Sequence, residues 1–282
     1  SGFVTGYYEP ELAARPVRTG KFTVPLYCRP PDLVDVDDGN RPAGWDQQIR
    51  FARRTDAGIE PCFDRAAIEG GALAGKGLEL AWLADPIAAY FIHIQGSARL
   101  RMPRGGLMRI AFDGKSGHPY TSIGRLAVER GYLTAAAADK AGLEAWLRQN
   151  PEAGRRLMHQ NRSYIFFRQT PQVTSEEGPL GAAGVPLTGG RSLAVDKNLM
   201  TFHTAVWVDA NGVPDPDVPL SAAATQFRRL MIAQDTGSAI VGAARGDLFF
   251  GSGEKAGAQA GRVRHVATMT LLLPKPEYGS RS

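Results

Sequence analysis

Five short apolar segments follow one another between residues 191 and 274, and they restrict this part of the chain to a compact β fold. The segments are RSLAVD, AVWVDA, RLMIAQDTGSAI, GDLFFGSG and HVATMTLLLP. Turn-forming residues separate them, and the 282-residue chain contains 33 Gly and 19 Pro, so frequent turns are expected throughout. Short strands at close spacing are typical of a β-barrel.

The preceding part of the chain predicts further strands together with short helices. DRAAIEGGAL predicts a helix with Asp64 as its N-cap, and SIGRLAVERG, DKAGLEAWLRQN and PEAGRRLMHQN predict three more. PIAAYFIHIQGSARL predicts a strand, with Tyr90, Ile92 and Ile94 on one face. The segment QTPQVTSEEGPLGAAG fits neither period, which places a domain boundary there. The whole chain is therefore expected to be mainly β with helical inserts, in two lobes.

Composition and charge exclude several classes of protein. The most apolar region, LELAWLADPIAAYFIHIQGSA, is interrupted by Asp85 and Pro86, so it is not expected to span a membrane. The net charge of +5 comes from scattered basic residues and no nucleic-acid-binding motif is present, so nucleic acid is not an expected partner. The sequence contains neither HExxH nor GxxxxGK[ST], and the tail GSGEKAGAQAG shows no strand–turn–helix context. Neither a metal nor an organic cofactor is expected.

The two cysteines, Cys28 and Cys62, leave two interpretations open. They form a disulfide if the protein folds in an oxidising compartment, or they are two buried thiols. Two cysteines alone are too few for a structural zinc site.

Three aspartates lie where apolar strands begin or end: Asp196 after SLAV, Asp235 after LMIAQ and Asp247 before LFF. A single Asp in such a place is usually a turn or cap residue. Three in one barrel favour a site instead, because strand ends gather active residues. The DTG at residues 235–237 resembles an aspartic-protease loop, but that chemistry requires two such loops or a dimer, and only one loop is present in the sequence.

Aromatic and amide side chains suggest a sugar as the ligand, since aromatic faces stack on sugar rings and neutral polar groups bind hydroxyls. Each ring taken alone is more simply explained as part of a core. The aromatic candidates are Tyr7, Tyr8, Trp82, Tyr90, Tyr120, Trp146, Tyr164 and Trp207, and the polar candidates are Gln95, Ser97 and Asn161.

Several long segments, taken in order, resemble the membrane-bound lytic murein transglycosylase A family. They are TGYYEP, YFIHIQGSARLR, GHPYTSIGRLAVERG, AWLRQNPEAGRRLMHQNRSYIFFR, GPLGAAGVPLTGGRSLAVD and MIAQDTGSAIVGAARGDLFFGSGEKAG. The resemblance extends from about Thr5 to Pro274. It implies a double-psi β-barrel domain formed by residues 1–10 and 176–282. A smaller β-barrel domain with short helices, residues 11–175, is inserted in it, and a groove for a glycan strand lies between the two.

The resemblance also implies roles for individual residues. Asp247 corresponds to the catalytic acid/base, Asp235 assists it and Asp196 is the supporting third aspartate. An apolar run such as Leu248–Phe250 is expected to raise the pKa of Asp247, which suits a general acid. The implied substrate-binding residues are Thr5, Tyr7, Tyr8, Gln95, Ser97, Tyr120, Asn161, Gly237 and Ser238.

The implied function is a lytic transglycosylase that acts on peptidoglycan glycan strands. It cleaves the β-1,4 bond between N-acetylmuramic acid and N-acetylglucosamine without water and leaves a 1,6-anhydro ring. The protein is expected to be a monomer on the periplasmic side of the Gram-negative outer membrane, with other cell-wall enzymes as further candidate partners. Relatives are lipoproteins, and the lipid signal and N-terminal region of relatives are expected to be missing here. A non-catalytic peptidoglycan-binding barrel and a hydrolytic glycosidase are the two alternatives.

Overall fold

The computed structural model describes residues 2–47, 49–171, 177–218 and 226–275. Its contacts divide the chain into two compact units. The barrel unit comprises Ser1–Tyr8 and Glu176–Ser282, and the inserted unit comprises Glu9–Ser175. The first junction between them falls at the end of the first strand.

The described strands are, in chain order, β1 (Gly2–Glu9), β2 (Glu11–Ala13), β3 (Val24–Tyr27), β4 (Leu33–Asp35), β5 (Phe51–Thr55), β6 (Gly58–Glu60), β7 (Glu79–Leu83), β8 (Ser97–Arg101), β9 (Leu107–Lys115), β10 (Ile165–Thr170), β11 (Ser192–Val195), β12 (Ala205–Asn211), β13 (Gln226–Asp235), β14 (Arg245–Ser252) and β15 (Arg264–Leu272). The α-helices are α1 (Arg65–Ala67), α2 (Pro86–Gln95), α3 (Ile123–Glu129), α4 (Lys140–Gln149), α5 (Pro151–Met158) and α6 (Gly253–Ala260). A π-helical turn follows α1 at Ile68–Ala72, and 3₁₀ turns lie at Pro103–Gly105 and Ala135–Ala137.

The barrel unit is a closed six-stranded barrel with the order β1-β14-β11-β13-β12-β15. All five segments from which the sequence predicted strands in this region are strands of the barrel. Inward-facing residues such as Val4, Leu193, Met231 and Leu248 fill its core. Residues that alternate with them along β1, β11 and β14 face away from the core, because successive side chains of a strand point to opposite sides.

The inserted unit contains a second ring of strands. β10, β9, β8 and β2 form one sheet, and β3 and β7 form another. Isolated bridges join the two sheets at both edges, Arg15 with Trp82 on one side and Cys28 with Phe167 on the other. The six strands surround one apolar core that includes Leu26, Leu100 and Phe167. A mainly β fold with a second ring of strands inserted in the barrel unit is thus confirmed, but the inserted unit, Glu9–Ser175, is the longer of the two units in this chain and not the smaller.

The predicted strand at PIAAYFIHIQ is wrong, because residues Pro86–Gln95 form helix α2. Asp85 caps its first turn by accepting a hydrogen bond from the Ile87 N–H, and Pro86 occupies the first helical position. Gly96 ends the helix in the left-handed conformation at φ 78°. These end signals outweigh the alternation of Tyr90, Ile92 and Ile94 on which the strand prediction depended. No helix in the described part of the chain is long and apolar enough to cross a membrane.

Two other sequence interpretations are decided by the structure. Cys28 and Cys62 are free thiols, of which Cys62 is buried and Cys28 partly buried, so the disulfide interpretation is wrong. Burial raises the pKa of Cys62 to about 11. The tail GSGEKAGAQAG does follow a strand directly, since β14 ends at Ser252 and α6 begins at Gly253. The four helices predicted around Asp64 and between residues 121 and 160 are confirmed.

Candidate active site

Asp247 and Asp235 lie on either side of Ala194 on the outer surface of the barrel. Ala194 is the register partner of Asp247 in the antiparallel pair β11–β14 and of Asp235 in the parallel pair β11–β13. Adjacent strands are about 4.8 Å apart, so the two aspartates are separated by roughly 10 Å between Cα atoms. Ala194, which lies between the two aspartates, is only 3% exposed.

A β-bulge turns Asp235 towards this side of the barrel. Met231 and Ala233 point into the barrel core, and strict alternation would point Asp235 inward as well. The register shifts between Leu193 and Ala194, so that Asp235 rather than Gln234 stands opposite Ala194. Bulges redirect side chains in this way and are frequent beside active sites.

Two residues hold the Asp247 carboxylate in place. The Thr5 hydroxyl donates a hydrogen bond of 2.6 Å to its Oδ1 atom. Arg245 donates from Nη2 to the Thr5 Oγ1 atom at 2.7 Å and from Nη1 to the Gly246 carbonyl oxygen. Thr5 therefore receives one hydrogen bond and passes one on to the carboxylate.

Burial raises the pKa of Asp247 to about 6. The hydrogen bond from Thr5 and the charge of Arg245 lower this pKa, and Asp235 adds a smaller rise. Asp247 keeps part of its surface accessible, while surrounding protein atoms disfavour its ionised form. A carboxyl group of this kind carries a proton on a large fraction of molecules just below neutral pH.

The apolar surroundings of Asp247 differ from the expected run of three residues. Leu248 and Phe250 point into the barrel core, and only Phe249 shares the face of Asp247. The Phe249 ring lies 5.1 Å from the Tyr7 ring, between centroids. The part of the prediction that assigned Leu248 and Phe250 to the wall around Asp247 is wrong, because side chains alternate along β14.

Asp235 has its own set of donors. The Tyr7 hydroxyl donates to Oδ2 at 2.9 Å, and the Ala182 N–H donates to Oδ1 at 3.0 Å. Burial still raises the pKa of Asp235 above its ordinary value. Burial also raises the pKa of Tyr7, so this hydroxyl keeps its proton and remains a donor.

Asp196 is placed differently from the other two aspartates. Its Oδ2 accepts a hydrogen bond from the Gly242 N–H at 2.9 Å, and its Oδ1 accepts one from the Asn198 N–H at 3.0 Å. These N–H groups, that of Gly242 first, hold the pKa of Asp196 below its ordinary value. Asp196 thus fastens two loops of the barrel unit, which fits a supporting residue.

The remaining predicted residues of the barrel unit occupy several environments. Tyr8 packs in the barrel core, so it is Tyr7 that lies beside the aspartates. Gly237 and Ser238 form an exposed turn after β13, closed by the hydrogen bond from the Ile240 N–H to the Gly237 carbonyl.

In the inserted unit, Gln95 ends α2, Ser97 begins β8 and Tyr120 lies in a loop, and each is partly exposed. Asn161 is only 1% exposed. Its side chain donates to the Tyr90 hydroxyl and accepts from the Thr121 N–H, so it fastens a loop rather than presenting an amide to solvent. Their roles in substrate binding stay predictions.

Arg245 and the N–H of Ala182 were not identified from the sequence. Arg245 precedes Asp247 by two positions on a strand, and this spacing places a cation on the face of the carboxylate. The contact with Ala182 leaves no such signal, since it depends on a backbone group of a distant loop. Within the described ranges, no three His, Cys, Asp or Glu side chains are grouped as metal ligands would be.

Comparisons with known sequences match both parts of the chain. A model of the MltA specific insert domain matches residues 3–168, and a model of the 3D domain matches residues 191–273. The chain belongs to the membrane-bound lytic murein transglycosylase A family. The first of these matches includes β1, which the structure assigns up to Tyr8 to the barrel unit.

Individual relatives resemble nearly the whole chain. The Escherichia coli K12 membrane-bound lytic murein transglycosylase A is 30% identical over 98% of this chain and 67% of its own length. A crystal structure of a membrane-bound lytic murein transglycosylase from Agrobacterium tumefaciens has a TM-score of 0.90 and 43% identity, over 97% of this chain and 74% of that one. The structure of E. coli MltA with bound chitohexaose has a TM-score of 0.73 and 27% identity, over 96% and 73%.

Proposed function

We propose that this protein is a lytic transglycosylase of peptidoglycan and that Asp247 is its single general acid/base. Its reaction cleaves the β-1,4 bond between N-acetylmuramic acid and N-acetylglucosamine and leaves a 1,6-anhydro ring. The observation that carries the assignment to Asp247 is the raised pKa of a half-buried carboxyl group whose Oδ1 atom is held by Thr5. Membership of the family supports the reaction.

In the first half of the reaction, Asp247 gives its proton to the glycosidic oxygen. The bond between that oxygen and C1 of the muramic sugar breaks, N-acetylglucosamine leaves with the proton, and positive charge develops at C1. Asp247 becomes a carboxylate at this moment. Its pKa of about 6 lies close to neutral pH, and a pKa near the pH of the reaction favours proton transfer in either direction.

In the second half, the C6 hydroxyl of the muramic sugar attacks C1 and its proton passes to the Asp247 carboxylate. This step closes the 1,6-anhydro ring and restores the protonated acid, so no water is consumed. An internal hydroxyl held against C1 has a high effective concentration, which allows it to compete with solvent. One carboxyl group therefore suffices.

The contacts of Asp235 favour this mechanism over hydrolysis. A hydrolytic enzyme needs a second carboxylate that takes a proton from water or attacks C1. Both oxygens of Asp235 already accept hydrogen bonds, from the Tyr7 hydroxyl and the Ala182 N–H. We assign to Asp235 the role of orienting Tyr7 and raising the pKa of Asp247 through its charge.

The ligand is a glycan strand with N-acetylated sugars. The relative that was crystallised with chitohexaose supports this choice, since that ligand contains the same type of β-1,4 bond between N-acetylated sugars. The predicted glycan contacts are Tyr7, Gln95, Ser97, Tyr120, Gly237 and Ser238. The relatives are named membrane-bound, which supports association with the cell envelope, and we place the protein on the periplasmic side of the outer membrane.

The test digests purified peptidoglycan and measures the products by mass spectrometry, with and without a chelator. We expect anhydromuropeptides, each lighter by one water than the hydrolysis product, at the same rate in both conditions. The Asp247→Asn variant is the control for contaminating enzymes. Reducing-end products would make this protein a hydrolase, no products would favour a binding protein, and loss of activity that a divalent ion restores would reveal a metal site.

A further inference from the structure

The hydrogen bonds around Thr5 have a fixed direction. Arginine has only donors, so the contact between Arg245 Nη2 and Thr5 Oγ1 uses the threonine oxygen as acceptor. A threonine hydroxyl has one proton, and the 2.6 Å contact with Oδ1 of Asp247 is where that proton is donated. Without Arg245 the Thr5 hydroxyl is free to rotate. With Arg245 in place, the hydroxyl donates to Oδ1 of Asp247, so the two carboxyl oxygens of Asp247 are no longer equivalent.

We propose that Arg245 and Thr5 are positioning residues of the reaction: Arg245 orients the Thr5 hydroxyl, which occupies Oδ1 of Asp247 and leaves Oδ2 as the oxygen that gives and regains the proton. This inference rests on the proposed function. A proton on Oδ1 would compete with the Thr5 hydroxyl for the same position, whereas no donor among the described residues is directed at Oδ2. The arrangement therefore selects one oxygen before substrate binds.

The local charges give this arrangement a second effect. The groups that influence the ionisation of Asp247 are Arg245 on its own strand, Thr5 and Tyr7 on β1, and Asp235 on β13, whereas β11 contributes the uncharged Ala194. Arg245 and Thr5 favour the carboxylate, and Asp235 opposes it. Burial lowers the pKa of Arg245 from its ordinary value, but guanidinium remains charged at any pH used here. Arg245 and Thr5 thus help Asp247 to release its proton.

Four variants separate charge from geometry. Arg245→Gln removes the cation, Arg245→Lys keeps a cation without the planar donor group, Thr5→Val removes the hydroxyl at similar volume, and Thr5→Ser keeps the hydroxyl. The matched control is Arg228→Gln, because Arg228 lies on a strand of the same barrel and pairs at 3.1 Å with Asp209, away from the site. Circular dichroism establishes that each variant is folded.

The readout is the pH profile of kcat/KM for release of anhydro products. A general acid loses activity as pH rises through its pKa, so the alkaline limb of the wild type reports Asp247. Removing groups that favour the carboxylate raises this pKa. We expect the limb to move up by about half to one pH unit in Arg245→Gln and Thr5→Val, with a plateau about tenfold lower. Arg245→Lys is expected to keep the limb and lose rate, Thr5→Ser to keep the limb at the wild-type pH because its hydroxyl can still donate to Asp247, and Arg228→Gln to match the wild type.

A second readout does not depend on turnover. Titration of the Asp247 carboxyl carbon by NMR is expected to show the same upward shift in Arg245→Gln and Thr5→Val. Unshifted midpoints in folded Arg245→Gln and Thr5→Val would overturn the inference, and the Thr5→Val and Thr5→Ser pair decides alone if Arg245→Gln does not fold. A wild type that makes no anhydro products would instead overturn the proposed function and leave the NMR result to decide the positioning role.

Discussion

Asp196 directly follows strand β11, and Asp247 lies on the neighbouring strand β14 of the same barrel. The surroundings of Asp196 favour its carboxylate, whereas those of Asp247 favour its protonated form. Asp196 accepts two backbone hydrogen bonds that lower its pKa, so it is an ion at neutral pH. Among the described residues, the Thr5 hydroxyl is the one donor to Asp247, and burial raises the pKa of Asp247 to about 6. Backbone N–H donors stabilise the carboxylate form, so a carboxyl group that accepts two of them holds a loop as an ion. A buried carboxyl group with fewer donors keeps its proton to higher pH.

The largest effect is expected for Asp247→Asn. The amide retains the shape and the acceptor for Thr5 but cannot exchange a proton, so activity should fall by a factor of about 100 or more. Rates of anhydro product formation measure the loss. A variant that keeps more than about one hundredth of the wild-type rate would remove Asp247 as the acid/base.

The same variant has a predicted effect on stability, with a sign set by the raised pKa. Between pH 4 and pH 6 the unfolded state releases the Asp247 proton while the folded state keeps it, so the wild type loses stability as pH rises through this window. Asp247→Asn should be more stable than the wild type by about 3 kcal/mol at pH 7.5, and by little at pH 4. Urea unfolding at the two pH values measures the difference, and equal stabilities at pH 7.5 would contradict it.

A smaller effect is expected for Asp235→Asn. Loss of this negative charge lowers the pKa of Asp247, which moves the alkaline limb to lower pH, and disturbed contacts with Tyr7 and Ala182 slow the reaction about tenfold. This shift of the alkaline limb is opposite in direction to the upward shift expected for Arg245→Gln. Asp209→Asn is the matched control, since Asp209 is a partly exposed carboxylate on another barrel strand. If Asp235→Asn and Asp209→Asn have the same rate and pH profile, Asp235 only holds the loop at Ala182 in place and has no part in the reaction.

The smallest effect on activity is expected for Asp196→Asn, which should stay within about threefold of the wild type once folded. Its effect on stability has the opposite sign to that of Asp247→Asn. The lowered pKa means that ionised Asp196 stabilises the fold at neutral pH and that this contribution is lost as pH falls through the acidic range. Thermal unfolding should therefore show a lower midpoint at pH 7 and a diminishing difference towards pH 3. Activity loss equal to that of Asp247→Asn would end the contrast between the two residues.

Much of the barrel could be predicted because its strands are short, apolar and separated by turn residues. The contrast among the three aspartates could not, since all three sit at the ends of similar strands. Which carboxyl lacks donors depends on loops such as those at Ala182 and Gly242, which are distant in sequence. The β-bulge opposite Ala194 also cannot be predicted from the sequence, because strict alternation of side chains would place Asp235 on the core side of β13.

Helix α2 is a case in which the sequence does contain the local signals, but the strand prediction gave more weight to the alternation of apolar residues than to the helix-end residues. Asp85, Pro86 and Gly96 mark both ends of the helix in the sequence. The alternating apolar residues between them fit either a strand or a helix that is buried on most sides, as α2 is. Tyr7 and Tyr8 illustrate a third limit: adjacent residues on β1 must face opposite ways, but only the structure shows that Tyr8 lies in the core.

The most direct test of the account is one NMR titration in which the carboxyl carbons of Asp247 and Asp196 are followed together, assigned through their Asn variants. We predict a midpoint near 6 for Asp247 and a midpoint below the ordinary value of Asp for Asp196. An Asp247 midpoint at or below about 4, the value of an unperturbed aspartate, would contradict the claim that this residue is the proton donor.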